Sequence, residues 1–201
     1  MTAMAKTKGR MLFNNSFHPW RVLHRKPIFS ALPWINLSVE KIQMPDGKII
    51  DDFYHLDIPD FVVIFAETAK GGVITLRQYK HGAGRDSLTL PGGQVEPDEF
   101  PVDSAKRELL EETGFQAPNW CHLGSYTVNG NLGCGKGHFF LAKRAIKIQE
   151  PMSGDLEEME VGILTHEALK KSMADGDVIL LNHASAISLA FQALVPNQDI
   201  I

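Results

Sequence analysis

The chain has 201 residues, of which 44% are hydrophobic, a net charge of −4 and a pI near 6.0. That is enough apolar material to close a core without a disulfide or a structural metal, and the acidic balance argues against a general polyanion-binding surface such as nucleic-acid binders carry. Cys121 and Cys134 are too few and too far apart for a CxxC motif, and no run of about 18 apolar residues offers a membrane span, so free thiols in a reducing cytoplasm are expected.

Residues 1–16 show little periodicity and are expected to be a flexible N-terminus. Residues 1–26 contain six Lys or Arg and no acid, a faint likeness to an organelle transit peptide; a frayed basic end on a cytoplasmic protein is the reading preferred. From Trp20 the chain reads as short strands broken by turns. Leu37 to Met44 and Lys48 to Leu56 flank Pro45-Asp46-Gly47, whose fixed and positive φ values suit a tight turn, so a hairpin is predicted. Residues 17–58 are therefore assigned to a small antiparallel subdomain and 59–201 to the main domain.

Phe61 to Ala66 is a continuous apolar run suited to a strand buried on both faces. Val73 to Gln78 pairs back on it, a Gly-rich loop follows at Gly82 and Gly84, and Ser87 to Leu90 leads into a Gly-Gly turn. The helix-like run that follows ends at Gly114, with Val102, Ala105 and Leu109 as its apolar stripe. Beyond it, strands are expected around His122 to Tyr126, His138 to Arg144 and Met159 to Leu164. A helix from His166 to Ala174 would be capped by Thr165, and a last one, capped by Asn182, would run through Leu194. Residues Gly130 to Gly137 nearly spell a P-loop, but Gly137 stands where the Mg²⁺-binding hydroxyl belongs and a strand-like segment follows where a helix is needed. A plain turn or a wall of the substrate site are the two readings left for this loop.

The chemistry concentrates between Leu90 and Phe115, LPGGQVEPDEFPVDSAKRELLEETGF. At ~100° per residue, Glu108, Glu111 and Glu112 share one helix face. Three crowded carboxylates repel one another, and a hard divalent cation that prefers oxygen ligands relieves that cost. Gly93, Glu99, Arg107, Glu108, Leu109, Glu111, Glu112, Gly114 and Phe115 together resemble the Nudix box, G-x5-E-x7-R-E-U-x-E-E-x-G-U with U apolar. The resemblance implies a mixed α+β sheet in a Nudix-type α/β/α sandwich. It also implies hydrolysis of a nucleoside diphosphate linked to another group, dependent on Mg²⁺ or Mn²⁺. Carried over residue by residue, Glu108 and Glu112 are the principal metal ligands, Glu111 an auxiliary one, and the Gly92 carbonyl a further donor. Arg107, four residues before Glu111, is placed to hold it, and Gly93 allows close backbone approach.

Beyond the box, PWINLSVEKIQMPDGKIIDDFYHLDIPDFVVIFA and RQYKHGAGRDSLTLPGG resemble the ADP-ribose pyrophosphatase branch of that family. The implied substrate is a nucleotide sugar, ADP-ribose or another nucleoside diphosphate sugar. The implied assembly is a homodimer built through the N-terminal strands, with no nucleic-acid or membrane partner. In this reading Trp34 stacks on a base, or is a packed core aromatic, while Arg77 contacts a phosphate, or pairs with an acid of the box. Glu157 or Glu158, in the acidic run GDLEEMEV, supplies the catalytic base, or that run is a solvated acidic loop. Thr89-Leu90-Pro91-Gly92-Gly93 departs from the branch's usual Glu-Leu-Pro-Ala-Gly, and the loop after the box lacks the acid often found there, so the substrate stays open. A dinucleotide polyphosphate hydrolase and a non-catalytic binding module are the alternatives. His81, His138 and His183 lack the spacing of a zinc site and are read as structural or exposed.

Overall fold

The computed structural model describes residues 17–152 and 158–195. The expected flexible segment 1–16 and Glu157 lie outside them. Three strands come first: β1 (Arg21–Ala31), β2 (Ile35–Gln43) and β3 (Ile49–Asp57). They pair antiparallel in order, β2 and β3 around the turn predicted at Pro45 to Gly47, where Gly47 takes φ +88°. Leu56 then pairs with Gly133, joining this ribbon to the rest of the sheet.

The main sheet is built from β4 (Phe61–Thr68), β5 (Val73–Lys80), β6 (Arg85–Thr89), the long hairpin β8 (Asn119–Asn129) and β9 (Gly133–Lys147), and β10 (Met159–Leu164), with β7 (Phe115–Gln116) a short addition against β9. The strand order is β1-β2-β3-β9-β4-β5-β10, with β6 on β5 and β8 on β9. β4 and β9 run parallel, so the sheet is mixed. Period-two alternation sends Val62, Ile64, Phe140 and Ala142 to one face, against Ala105 and Leu109 of α1 (Pro101–Thr113). Val63, Phe65, Phe139 and Leu141 face the other way, onto Leu169 of α2 (His166–Asp175) and Ile187 of α3 (Leu181–Leu194). Burying a side chain such as Leu109, fully inaccessible here, contributes about 1.5–3 kcal/mol. The sheet thus lies between helical layers, which is the fold expected from the sequence.

Local chemistry sets the helix ends. Pro101 opens α1 at a position where its missing N–H costs nothing, and Gly114 closes it in the left-handed region at φ +74°. Thr165 caps α2 as predicted, accepting from the Ala168 N–H at 3.1 Å. Asn182 does not cap α3. The helix starts two residues earlier, after Leu180 and without a side-chain cap, so Asn182 sits inside its first turn. The P-loop likeness at Gly130 to Gly137 dissolves into the β8–β9 turn at residues 130–132 and the start of β9, which continues through HFFLA.

Candidate active site

The segment after β6 crosses to β4: Ile64 and Val62 donate their N–H groups to the Pro91 and Gly93 carbonyls, at 2.8 and 2.9 Å. Gly92, between them, turns the other way, and its N–H donates to Glu112 Oε2 at 2.8 Å. A Cβ at Gly92 would overlap the Val62 carbonyl, and one at Gly93 would overlap the Glu108 carboxylate. The Gly-Gly pair therefore serves close approach, with β4 on one side and the carboxylate face of α1 on the other. Ala105 and Leu109 lock that helix into the core, so its carboxylates are presented from a rigid support.

Arg107 ties the acids together. Its Nε and Nη2 donate to Glu99 Oε1 and Oε2 at 3.1 and 3.0 Å, and its Nη1 donates to Glu108 Oε1 at 2.8 Å and Glu111 Oε2 at 3.1 Å. Nη2 also reaches the Gln94 carbonyl and Ser104 Oγ. The Arg107 guanidinium holds the Glu99 carboxyl below its ordinary pKa, and Glu99, ahead of Glu108 and Glu111, raises that of Arg107 in return. The sequence assigned Arg107 to Glu111; the bidentate partner is Glu99. Its place in the box was visible, but its function as the anchor of Arg107 was not, because the two residues meet across the loop before the helix.

The remaining predicted residues fall in two other places. Arg77 and Glu158 line one polar cleft of about 400 Å³ with Tyr79, Asp86 and Glu160. Arg77 lies 3.9 Å from Asp86, so its ion pair is with that residue and not with a box acid. The Met152 N–H donates to the Glu111 carbonyl at 2.7 Å, and Glu158 borders the Arg77 cleft. Trp34 stands in the turn between β1 and β2 with 64% of its surface exposed, which overturns the packed-core alternative.

Two histidines have structural positions that periodicity did not reveal. His183 on α3 accepts the Leu90 N–H at 3.1 Å, pinning that helix to the lead-in of the Gly-Gly turn; burial, with Lys80 adding, pushes its pKa down to about 3. His138 bridges Asp60 Oδ2 (3.1 Å) and Ser125 Oγ (2.7 Å), and Ser125 Oγ lies 2.9 Å from His122 Nε2. Asp60 also accepts the Lys136 N–H at 2.8 Å, so this chain fastens the β8–β9 hairpin to the start of β4.

A NUDIX domain family model matches residues 58–182, and a nucleoside diphosphate sugar hydrolase N-terminal domain model matches residues 20–56. The chain belongs to the Nudix family. It is a Nudix pyrophosphohydrolase by that membership. It is similar to an ADP-ribose pyrophosphatase of Bacillus subtilis, 29% identical over 168 residues that cover 83% of this chain and 90% of that one. It is also similar to a CMP-5'-(N-acetyl-N-hydroxy-3-aminopropyl)phosphonate hydrolase of Streptomyces rubellomurinus, 25% identical over 59% of this chain and 57% of that one. Among solved structures, an ADP compounds hydrolase superposes with a TM-score of 0.78 at 18% identity, covering 90% of this chain and 96% of that one; at that identity the likeness concerns the fold.

Nudix hydrolases generally use divalent metals. Among the described residues no three His, Cys, Asp or Glu side chains converge as a ligand set, and Arg107 engages Glu108 and Glu111. The donor chemistry nevertheless fits a hard cation. Glu108 and Glu112 close on the Gly92–Gly93 backbone from α1, Glu111 is on the same face, and the neighbouring Pro91 and Gly93 carbonyls are already taken by β4.

Proposed function

We propose that this Nudix enzyme hydrolyses the pyrophosphate bond of a nucleoside diphosphate sugar, ADP-ribose foremost, giving a nucleoside monophosphate and a sugar phosphate. The reading rests on one observation above others: Glu108 and Glu112 converge on the Gly92–Gly93 turn, where a Cβ would fill the space between backbone and carboxylate. Glu108, Glu112, the Gly92 carbonyl and, as auxiliary, Glu111 would hold Mg²⁺ or Mn²⁺. When bound, the cation would neutralise diphosphate charge and acidify an attacking water. Without the cation Arg107 bridges Glu108 and Glu111 and offsets their repulsion; with it, anchored on Glu99, it would position Glu111. Glu158, or Glu157 beside it, would take the proton from the water, and Arg77 would face a substrate phosphate across the same cleft.

In this reading the chain works as two units, 17–58 and 59–201, in the cytoplasm. The first would form a homodimer: β1 is a sheet edge with Val22, Leu23, Ile28 and Phe29 all exposed, and an uncovered apolar edge strand favours pairing. Trp34, at the tip of that ribbon, would reach a base from there. The names of the relatives support a nucleotide substrate and leave the base open between adenine and cytosine. The test is a panel of ADP-ribose, other nucleoside diphosphate sugars and dinucleotide polyphosphates with Mg²⁺, read by product identity. Preference for a dinucleotide polyphosphate would reassign the substrate. Metal-free binding without turnover would make the protein a non-catalytic module.

A further inference from the structure

From Leu90 to Gly93 the chain passes from β6 along β4 to the carboxylate face, and each residue on the way has a backbone group held by a surrounding element. The Pro91 and Gly93 carbonyls accept from Ile64 and Val62 of β4, and the Gly92 N–H donates to Glu112 of α1. The Leu90 N–H donates to His183 Nδ1 of α3 at 3.1 Å. We infer that His183 is a positioning residue for the Gly92 carbonyl, the backbone donor proposed for the cation; the inference rests on the hydrolase reading above.

The need for an acceptor arises where β6 ends. Thr89, opposite Leu76, is the last residue of β6 paired with β5. Leu90 follows with 1% of its surface exposed, so its N–H has left both the ladder and the solvent. A buried amide without an acceptor is costly, and the peptide would rotate to find one. The Leu90 side chain already shares an apolar cluster with Ala186, Ile187 and Ala190 of α3. That packing sets where Leu90 lies. The directional bond to His183 also sets how its peptide plane is turned, and planar peptides pass that rotation along the chain toward Gly92.

His183 suits the task because it is a neutral acceptor. Its ring is buried, and burial pushes its pKa down to about 3, so Nδ1 carries the lone pair and Nε2 the proton. The turn has little slack to absorb an error. A Cβ at Gly92 would overlap the Val62 carbonyl, so the backbone is already in close contact with β4, and the carbonyls on either side of Gly92 are bonded. A misturned Leu90 peptide would therefore displace the Gly92 oxygen, and a hard cation with strict coordination geometry is sensitive to that.

The experiment uses the full chain and compares His183→Leu, which removes the acceptor, with His183→Asn, whose amide oxygen can replace Nδ1. Ile187→Val, which loosens α3 from the core without touching the bond, is the control. In metal-free protein His183→Leu should speed exchange of the Leu90 amide while the Ala105 amide keeps its protection, and His183→Asn should restore it. By isothermal titration, His183→Leu should weaken Mn²⁺ about tenfold or more, with His183→Asn and Ile187→Val near wild type. At saturating Mg²⁺ its kcat for ADP-ribose should fall with KM little changed. Wild-type Mn²⁺ affinity in His183→Leu would overturn the role, as would equal losses in His183→Leu and His183→Asn, or a matching loss in Ile187→Val. Should His183→Leu not fold, His183→Gln, which moves the acceptor outward along the side chain, takes its place; it should weaken Mn²⁺ severalfold, and wild-type affinity there would overturn the role. Weakened Mn²⁺ binding in a protein that hydrolyses no nucleoside diphosphate sugar would uphold the positioning and count against the hydrolase reading. Hydrolysis with Mn²⁺ affinity equal in every variant would do the reverse.

Discussion

Arg107 gathers three carboxylates, and its replacement separates two consequences. In Arg107→Ala, Glu99 loses its bidentate partner, while Glu108 and Glu111 are left to repel one another. We expect kcat/KM for the preferred substrate to fall about 10²-fold, with Arg107→Lys intermediate because an ammonium cannot reproduce the fork. Equal rates in all three proteins would remove Arg107 from the site. Gly93→Ala is the complementary change. Its Cβ overlaps the Glu108 carboxylate, so metal affinity should drop while the thermal midpoint stays near wild type; isothermal titration with Mn²⁺ and a melting curve read the two together. His183 gives a pH signature. Its folded-state pKa lies near 3, below the ordinary 6.5, so the folded protein binds fewer protons than the unfolded chain between those values. The stability from neutral, buried His183 is complete above about pH 6.5 and is lost as pH falls toward 3. Chemical denaturation across that window should show the decline, and His183→Asn should flatten it. Glu99, with its lowered pKa, adds a loss confined to the region below its ordinary 4.5.

Among the elements, α1 was the most legible in advance, because its spacing encodes both its apolar stripe and its carboxylate face, and Gly114 marks its end. β4 and β10 were also legible as continuous or bounded apolar runs. The cap of α3 was misread: Asn182 has the right chemistry for a cap, but packing of Ile187 and the His183–Leu90 bond set where the helix begins. The Asp60–His138–Ser125 chain was invisible for a related reason: Asp60 and His138, 78 positions apart, meet because β4 and β9 run parallel, and Ser125 and His138, 13 apart, meet only in the register of the β8–β9 hairpin. Trp34 carried two readings because an aromatic between Pro33 and Ile35 suits a core or a surface equally; only strand order, which leaves the β1–β2 turn outside, separates them. The cap on α2 offers a calibration of local physics: Thr165→Ala removes the bond to the Ala168 N–H and should cost about 1 kcal/mol in a denaturant titration. No measurable loss would mean that packing of Leu169 alone holds the helix start.

For the whole molecule, the N-terminal ribbon and the sheet it adjoins divide the labour differently. The sandwich buries its apolar residues between α1 on one face and α2 and α3 on the other, whereas all but the last residue of β1 is exposed. If β1 is the dimer edge, Phe29→Asp should shift light-scattering mass from two copies to one, and unchanged mass would place any contact elsewhere. None of the described helices is long and apolar enough to cross a membrane. The central claim is the chemistry that α1 and the Gly-Gly turn support, and it is most directly tested by incubating the protein with ADP-ribose and Mg²⁺ and identifying the products. A nucleoside monophosphate and a sugar phosphate are expected in equal amounts, abolished by chelation and by Glu112→Gln. Turnover of ADP-ribose and other nucleoside diphosphate sugars no greater than that of Glu112→Gln would contradict it.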